Sequence, residues 1–293
     1  MSSKKTLLVV VSDRISDILR KGEYAPRYYN PGDLFDEVHL VLTNDDCPDP
    51  AQVQYTVGRA KLALHNVASP PFVRTLGWQP FLLEPWIKPA VQLAQAIQPT
   101  IIRTHANYFN GYLGAQIKQR LKIPLVVSLH TEPDELHRWI NSWRHNGKKR
   151  LAFERRLVFE ETSLQMADWV LPVYESARAY AERHGAKQVR VCYNTLNTAS
   201  LRKKEDYGLH TPVRILNVNR QFSEKNPDNL IRAVARLENV ELTLVGDGPY
   251  HEHLREVAQA CSVTDRVIFH RAIPNSELCA MLPDFDIFAI HSD

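Results

Sequence analysis

Two cationic side chains near position 220 stand where a predicted strand ends and a helix begins. The strand ends at about Asn219, and Arg220 and Lys225 lie in the loop that follows. Asn226 and Pro227 then form a favourable N-cap and first-turn pair for a helix. A helix N-terminus offers free N–H groups and partial positive charge to an anion, and the two cations would add to both. The pattern predicts a diphosphate site, with a solvated charged loop as the alternative.

A glycine-rich turn, GDGP, follows the next predicted strand, ELTLV. Gly246 and Gly248 would let the backbone turn sharply and approach a ligand closely. Gly, Asp and Pro also form ordinary tight turns. A ligand-binding loop and a purely structural turn are therefore both open at this position.

Two histidines end predicted strands in the first half of the chain, His105 in TIIRTH and His130 in PLVVSLHTE. Both would lie at the carboxyl ends of parallel strands, where ligands of α/β proteins bind. We expect His105 to be a hydrogen-bonded core residue. Polar residues directly follow His130, so a core role and a catalytic role are equally open for it.

Strand-length apolar runs alternate with helical patterns along the whole chain, which predicts an α/β fold with mostly parallel sheets. A polar stretch without periodicity, residues 194–212, reads as a linker between an N-terminal domain, residues 1–193, and a C-terminal domain, residues 213–293. Two Rossmann-like, doubly wound domains facing a crevice are expected. The predicted strands are Thr6–Val11, Glu37–Leu42, Thr100–Thr104, Leu125–Leu129, Trp169–Val173, Val189–Tyr193, Val213–Val218, Glu241–Val245, Val267–His270 and Phe285–Ile290.

The overall composition excludes several classes of protein. The net charge of the 293 residues is +3, too small to favour nucleic-acid binding. The four cysteines are widely spaced and form no zinc motif, and Cys192 and Cys279 are expected to be buried free thiols in a reducing cytoplasm. The apolar run near the N-terminus is too short for a signal peptide, and no run is long enough to span a membrane.

A basic stretch from Arg138 to Arg156 contains seven Lys or Arg residues against a single Glu, interleaved with Trp139, Trp143 and Phe153. Such a surface suits peripheral contact with an anionic membrane. In the alternative interpretation, Phe153 belongs to a core-facing helical stripe and the charges form a solvated face.

Four segments of the second half carry a resemblance: NRQFSEKNPDNLIRAVARL, LTLVGDGPYHEHL, DRVIFHRAIPNSEL and FDIFAIHS. In this order and spacing they resemble the donor-binding half of glycosyltransferase family 4, which contains retaining enzymes of GT-B fold. IIRTH, the SLH run, MADWVLPV and VRVCYN resemble the acceptor-domain strands of that family. The resemblance covers most of the chain.

The resemblance assigns roles to individual residues. It implies that Arg220 and Lys225 hold the diphosphate of a nucleotide sugar and stabilise it as the leaving group, with no obligatory metal or cofactor. It places His130 beside the donor sugar at the reaction centre. This predicts a retaining transferase that moves the sugar to a hydroxyl of a glycan or lipid-linked acceptor. A non-catalytic nucleotide- or sugar-binding protein is the alternative.

The donor-binding loops are assigned in the same way. Gly246 and Gly248 would border the donor, and the loop carrying Arg271 and Ile273 would meet the nucleobase through backbone groups. Family members usually have glycine where Arg271 stands. The chain also ends before the family's two donor-binding glutamates, so we expect an incomplete second domain and a chain that by itself is not a complete catalyst.

Overall fold

The computed structural model describes residues 4–69, 80–130, 147–194, 198 and 201–291. The chain divides into two compact units, the first made of Met1–Leu19 and Tyr24–Thr195, the second of Arg20–Glu23 and Leu196–Asp293. Each unit contains a parallel β-sheet with helices in its crossover connections. The predicted α/β class is confirmed.

The first unit is built on a six-stranded parallel sheet of order β3-β2-β1-β4-β5-β6. Its strands are β1 (Thr6–Val11), β2 (Glu37–Leu42), β3 (Lys61–Asn66), β4 (Ile101–His105), β5 (Leu125–Leu129) and β6 (Trp169–Pro172). Its helices are α1 (Ile15–Lys21), α2 (Pro50–Val53), α3 (Pro80–Ile97), α4 (Phe109–Leu121), α5 (Gly147–Met166) and α6 (Glu175–Arg183). The strand order reverses between β1 and β4, and doubly wound sheets bind ligands at the carboxyl ends of such strands.

Apolar residues of β1 point alternately into two cores on opposite faces of this sheet. Leu8 and Val10 join one core, which continues over β4 and β5 through Ile102 and Val127. Val9 lies in the other core, which covers β1 and β2. Burial on both faces explains the uninterrupted apolar sequence of the central strand.

The second unit contains a four-stranded parallel sheet of order β10-β7-β8-β9. The strands are β7 (Val213–Val218), β8 (Val240–Val245), β9 (Val267–His270) and β10 (Ile287–Phe288), and the helices are α7 (Pro227–Val234), α8 (His251–Ala260) and α9 (Asn275–Met281). Leu242 and Leu244 of β8 pack with Ile231 of α7 and Leu254 of α8 in the core. This sheet is the smaller of the two, as predicted.

Several predicted details are wrong. Residues Val189–Tyr193 were expected to form a strand but make one isolated bridge, between Val189 and Val170. The last strand is confined to Ile287–Phe288, instead of the predicted Phe285–Ile290. Cys279 is buried as expected, whereas Cys192 is exposed. Within the described residues, no helix is both long and apolar enough to cross a membrane.

A buried carboxylate attaches residues 201–212 to the second sheet. The side chain of Asp286 is inaccessible to solvent and accepts hydrogen bonds from the backbone N–H of Arg214 at 2.9 Å and of His210 at 3.2 Å. It also contacts His210 Nδ1 at 2.7 Å and Lys204 Nζ at 3.2 Å. These bonds, first of all that from the Arg214 N–H, hold the pKa of Asp286 well below its usual range.

Replacing Asp286 with asparagine should loosen this attachment and destabilise the second unit. Because the pKa of Asp286 is lower in the folded protein, its contribution is present above the usual carboxyl range and is lost as pH falls through the folded value. Hydrogen exchange at the His210 and Arg214 amides should therefore accelerate in Asp286→Asn and, in the wild type, on strong acidification. Asp284→Asn, at an exposed neighbouring carboxylate, is the control. Unchanged protection of these two amides from exchange in Asp286→Asn would show that Asp286 does not hold residues 201–212 to the sheet.

Candidate functional site

The predicted diphosphate site lies in the loop between β7 and α7. Arg220 is exposed just after β7, and Lys225 ends a short 3-10 helix, Ser223–Lys225. The helix α7 begins at Pro227, as predicted from the sequence. Asn226 occupies the N-cap position in a left-handed conformation, and its side chain makes no capping hydrogen bond there. The expected side-chain cap is therefore absent, since the left-handed backbone takes the place of the extended cap geometry.

Neither Arg220 nor Lys225 has an ion-pair partner among the residues that the structure describes. Two other arginines of this unit do have ion-pair partners: Arg232 lies 3.6 Å from Asp228, and Arg271 lies 2.7 Å from Asp247. The two unpaired cations stand on either side of the loop that leads into a helix N-terminus. They are thus available to an anionic ligand.

The two glycines of the GDGP turn permit close contact between neighbouring loops. A Cβ atom at Gly246 would lie 1.8 Å from the Asn219 carbonyl oxygen, and one at Gly248 would lie 2.3 Å from the Gln221 carbonyl oxygen. Both glycines have positive φ, 149° and 159°. Gln221 N–H also donates to the Asp247 carbonyl, and Tyr250 N–H to the Gln221 carbonyl. The turn therefore has a clear structural role, and its contact with a donor remains a prediction.

A polar network that the sequence did not predict joins the loop after β7 to helix α8. Gln221 is 1% exposed, and its Oε1 lies 2.5 Å from His251 Nδ1. Arg255 Nε donates to His251 Nε2, and its guanidinium lies 4.9 Å from the centre of the Phe269 ring. His251 Nε2 accepts this bond, so its proton is on Nδ1 and is donated to Gln221. The network fixes the residue next to Arg220.

The predicted nucleobase loop follows β9. The Arg271 side chain bonds Asp247 at 2.7 Å and Glu252 at 3.4 Å, so it ties this loop to the GDGP turn. Ile273 is half-buried in the same loop. Contact of a base with the backbone of Arg271 and Ile273 stays a prediction.

The first unit has a polar cluster at the carboxyl ends of β4 and β5. Arg103 and His105 are two positions apart on β4 and therefore lie on the same face of the sheet. Arg103 Nε donates to Ser128 Oγ of β5 at 3.1 Å. The His105 and His130 rings stack at 5.1 Å between centroids, with an interplanar angle of 18°. The structure thus brings both predicted histidines together, beside an arginine that the sequence analysis did not single out.

The pKa of each histidine is lowered, which favours the neutral imidazole. Burial, first of all, and the nearby Arg103 charge lower the pKa of His130 and hold the pKa of His105 well below its usual value. His105 is buried as expected, at 6% exposure. Among the described residues, however, neither its Nε2 nor the Nε2 of His130 has a hydrogen-bond partner. The burial of His105 is therefore as predicted, whereas the predicted hydrogen bonding is not seen at its Nε2.

Tyrosines from the loop after α1 cover this cluster. Tyr28 and Tyr29 lie 5.6 and 5.3 Å from the His105 ring, centre to centre. The hydroxyls of Tyr24 and Tyr29 are 2.7 Å apart, and Tyr28 is exposed at its edge. The aromatic character of the segment EYAPRYYN was the available sequence signal. An exposed ring beside polar groups is suited to packing against a substrate.

Replacing Arg103 with glutamine should raise the pKa of both histidines. Its positive charge disfavours the imidazolium form, so its removal relieves one cause of the lowered pKa of each histidine. Burial persists, so both pKa values should stay below the usual 6.5 for histidine. NMR titration of the His105 and His130 ring protons measures the change, with Arg178→Gln, an ion-paired exposed arginine of α6, as control. Identical titration curves would show that Arg103 does not act on the pair.

Two further predictions concern the basic stretch and metal binding. The basic stretch Arg138–Arg156 lies outside the residues whose side chains are described, apart from the backbone of α5. In the described part of the chain, no group of three His, Cys, Asp or Glu side chains is arranged to hold a metal ion.

Two α/β units with parallel sheets define the class of the chain as a GT-B-type glycosyltransferase fold. The family model described as Glycosyltransferase Family 4 matches residues 34–200, and the model described as Glycosyl transferases group 1 matches residues 201–293. The chain belongs to glycosyltransferase family 4.

Similar curated proteins act on lipids. A GDP-mannose-dependent alpha-(1-6)-phosphatidylinositol monomannoside mannosyltransferase of Mycolicibacterium smegmatis is 36% identical over 96 residues, which are 31% of this chain and 25% of that protein. Alpha-monoglucosyldiacylglycerol synthase of Streptococcus pneumoniae is 26% identical over 218 residues, 68% of this chain and 48% of that protein. The chain thus spans less than half the length of either relative.

Solved structures share the fold. HepE of Anabaena in complex with UDP has a TM-score of 0.67 and 17% identity, with 98% of this chain and 74% of that chain covered. Sucrose-phosphate synthase of Thermosynechococcus elongatus also has a TM-score of 0.67, at 16% identity, with 99% and 76% covered. At these identities the likeness concerns the fold alone.

Proposed function

We propose that the chain is the core of a retaining glycosyltransferase that moves a sugar from a nucleotide-diphosphate sugar to a hydroxyl of a glycan or lipid-linked acceptor. The observation that carries the proposal is the pair of unpaired cations, Arg220 and Lys225, beside the start of α7 in a family 4 chain. Support for the substrates comes from related proteins: HepE binds UDP-glucose, and the two curated relatives act on a mannoside of phosphatidylinositol and on a diacylglycerol.

The central chemical task in this proposal is to stabilise the leaving diphosphate. Negative charge grows on its oxygens as the sugar–phosphate bond breaks, and preorganised cations and N–H groups stabilise that charge without reorganising. Arg220 offers a planar fork of donors, and Lys225 a compact charge. Gly246 and Gly248 keep the neighbouring turn packed against the backbone of this loop. Arg271 and Ile273 belong to the loop that would meet the base.

His130 is the proposed residue at the reaction centre. A neutral imidazole can donate one hydrogen bond and accept another, so it can orient a hydroxyl of the donor sugar without placing a full positive charge beside it. The lowered pKa of His130 keeps it in this form at neutral pH. The domain division, with residues 1–193 on the acceptor side and residues 213–293 on the donor side of a linker, belongs to the same proposal.

A lipid-linked acceptor would bring the protein to a membrane surface, and the basic stretch Arg138–Arg156 is the proposed contact, on the cytoplasmic side. The chain would then act as a peripheral protein. Anionic vesicles should bind it at low salt, because cation–headgroup attraction is screened by salt.

A transfer assay tests the proposed activity. The whole protein that contains this sequence is incubated with radiolabelled UDP-, GDP- or ADP-sugars and with diacylglycerol or glycolipid vesicles, and the product's anomeric configuration is determined by NMR. One donor should yield a glycolipid with the donor's configuration and an equal amount of nucleoside diphosphate. Inversion would contradict the retaining mechanism. Donor binding without transfer by the protein that contains this chain would favour the non-catalytic alternative.

A further inference from the structure

One face of the first sheet is apolar on β1 but carries polar side chains on the neighbouring strand β4. Over β1 and β2 this face carries an apolar core that includes Val9 and Leu40. On β4, which pairs directly with β1, the residues of the same face are Ile101, Arg103 and His105. A buried face ordinarily continues as apolar side chains. Polar groups here therefore require a separate physical reason.

Arg103 is the most costly of these groups. The residue is half-buried, and this burial lowers the pKa of its guanidinium. One nitrogen, Nε, donates to Ser128 Oγ. Among the described residues, no carboxylate pairs with it. A desolvated charge without a counterion is strongly unfavourable, and a bound anion would relieve that cost.

Two ring nitrogens near Arg103 also lack partners. The buried Nε2 atoms of His105 and His130, whose rings stack, make no hydrogen bond in the described structure. Native proteins satisfy the large majority of buried polar atoms, so a ligand that accepts a hydrogen bond here would remove this deficit. Tyr28, exposed at its edge and packed against His105, adds an apolar wall.

We propose that Arg103, together with His105 on the same face of β4, binds a phosphate ester or phosphodiester of the acceptor substrate. A phosphate offers several acceptor oxygens, which match a guanidinium fork and nearby imidazole N–H groups. The inference rests on the proposed function in one respect, since it assigns the anion to the acceptor. In the proposed function Arg220 and Lys225 hold the donor diphosphate, so we assign the anion at Arg103 to the acceptor.

The test follows the His105 and His130 ring signals by NMR while inorganic phosphate or glycerol 3-phosphate is added to the full chain. Both probes should shift these signals saturably in the wild type, and glycerol alone should not. Arg103→Gln should weaken phosphate binding at least about tenfold. Arg103→Lys, which keeps the charge and loses the fork, should give an intermediate affinity. Arg178→Gln is the matched control and should bind like the wild type.

Two further experiments distinguish phosphate binding at Arg103 from nucleotide binding at the proposed donor site. The Arg220→Ala/Lys225→Ala double variant should bind phosphate at the histidines as the wild type does, and saturating UDP should not displace it. UDP affinity should be unchanged in Arg103→Gln. The acceptor-anion site would be overturned by any of three results. These are displacement of phosphate by UDP, equal phosphate affinity in folded Arg103→Gln, and the absence of any saturable shift of the histidine signals. Failure of UDP binding with intact phosphate binding would instead count against the donor assignment alone.

Discussion

Replacing either Arg220 or Lys225 with alanine is expected to lower transferase turnover by about 10- to 150-fold, because each removes a charge-assisted contact of about 1.5–3 kcal/mol. The contact is worth most in the transition state, where charge develops on the leaving diphosphate. The variants should fold normally, since neither side chain has an ion-pair partner in the described structure to lose. Steady-state kinetics with the preferred donor, together with circular dichroism, measure both points.

Arg232→Ala is the matched control for these two variants. Arg232 lies in α7, the helix that follows this loop, and pairs with Asp228 at 3.6 Å, so its removal should leave turnover near the wild-type value. If Arg220→Ala and Lys225→Ala both showed wild-type kinetics, the assignment of this loop to the diphosphate would be wrong.

Alanine at Gly246 or Gly248 should destabilise the second unit severely. The new Cβ would overlap a backbone carbonyl oxygen of the loop after β7, at 1.8 Å for Gly246 and 2.3 Å for Gly248. Backbone cannot yield as a flexible side chain can, and the positive φ of both positions alone costs a non-glycine residue about 1–3 kcal/mol. Each variant should therefore lose at least this much free energy of unfolding, as measured by urea denaturation, and should lose nucleotide binding with it.

Gly208→Ala supplies the comparison for the glycine variants. Gly208 is exposed, and a Cβ there would meet only side-chain atoms of Asp206. Its effect on the urea midpoint should be small. Wild-type stability of both Gly246→Ala and Gly248→Ala would show that the two loops are not held as closely as described.

The sequence predicted two fully buried strands accurately. Thr6–Val11 and Glu37–Leu42 agree residue for residue, because burial of a mostly apolar run on both faces of the sheet leaves little choice of period or register. The strand Lys61–Asn66 was missed, since its residues KLALHN are only partly buried. The helix Ile15–Lys21 was also missed, because the apolar pattern of seven residues is too short to define a helical period.

The candidate sites were predictable where a local rule applied and unpredictable where distant residues meet. Arg220 and Lys225 were found from the helix start at Pro227, which depends on neighbouring residues alone. The pairing of Gln221 with His251 joins positions 30 residues apart, and a sequence without an alignment carries no record of it. Arg103 was passed over because a charged residue within a strand usually faces solvent, whereas here it faces the buried side of the sheet.

A calorimetric titration of the chain with UDP and GDP, in the wild type and in the Arg220→Ala/Lys225→Ala double variant, tests the central claim most directly. The account predicts saturable binding of one of the two nucleotides to the wild type, with affinity reduced at least about tenfold in the double variant. Equal affinity in a folded double variant, or no binding of either nucleotide to the wild type, would contradict the claim that these two cations hold the donor diphosphate.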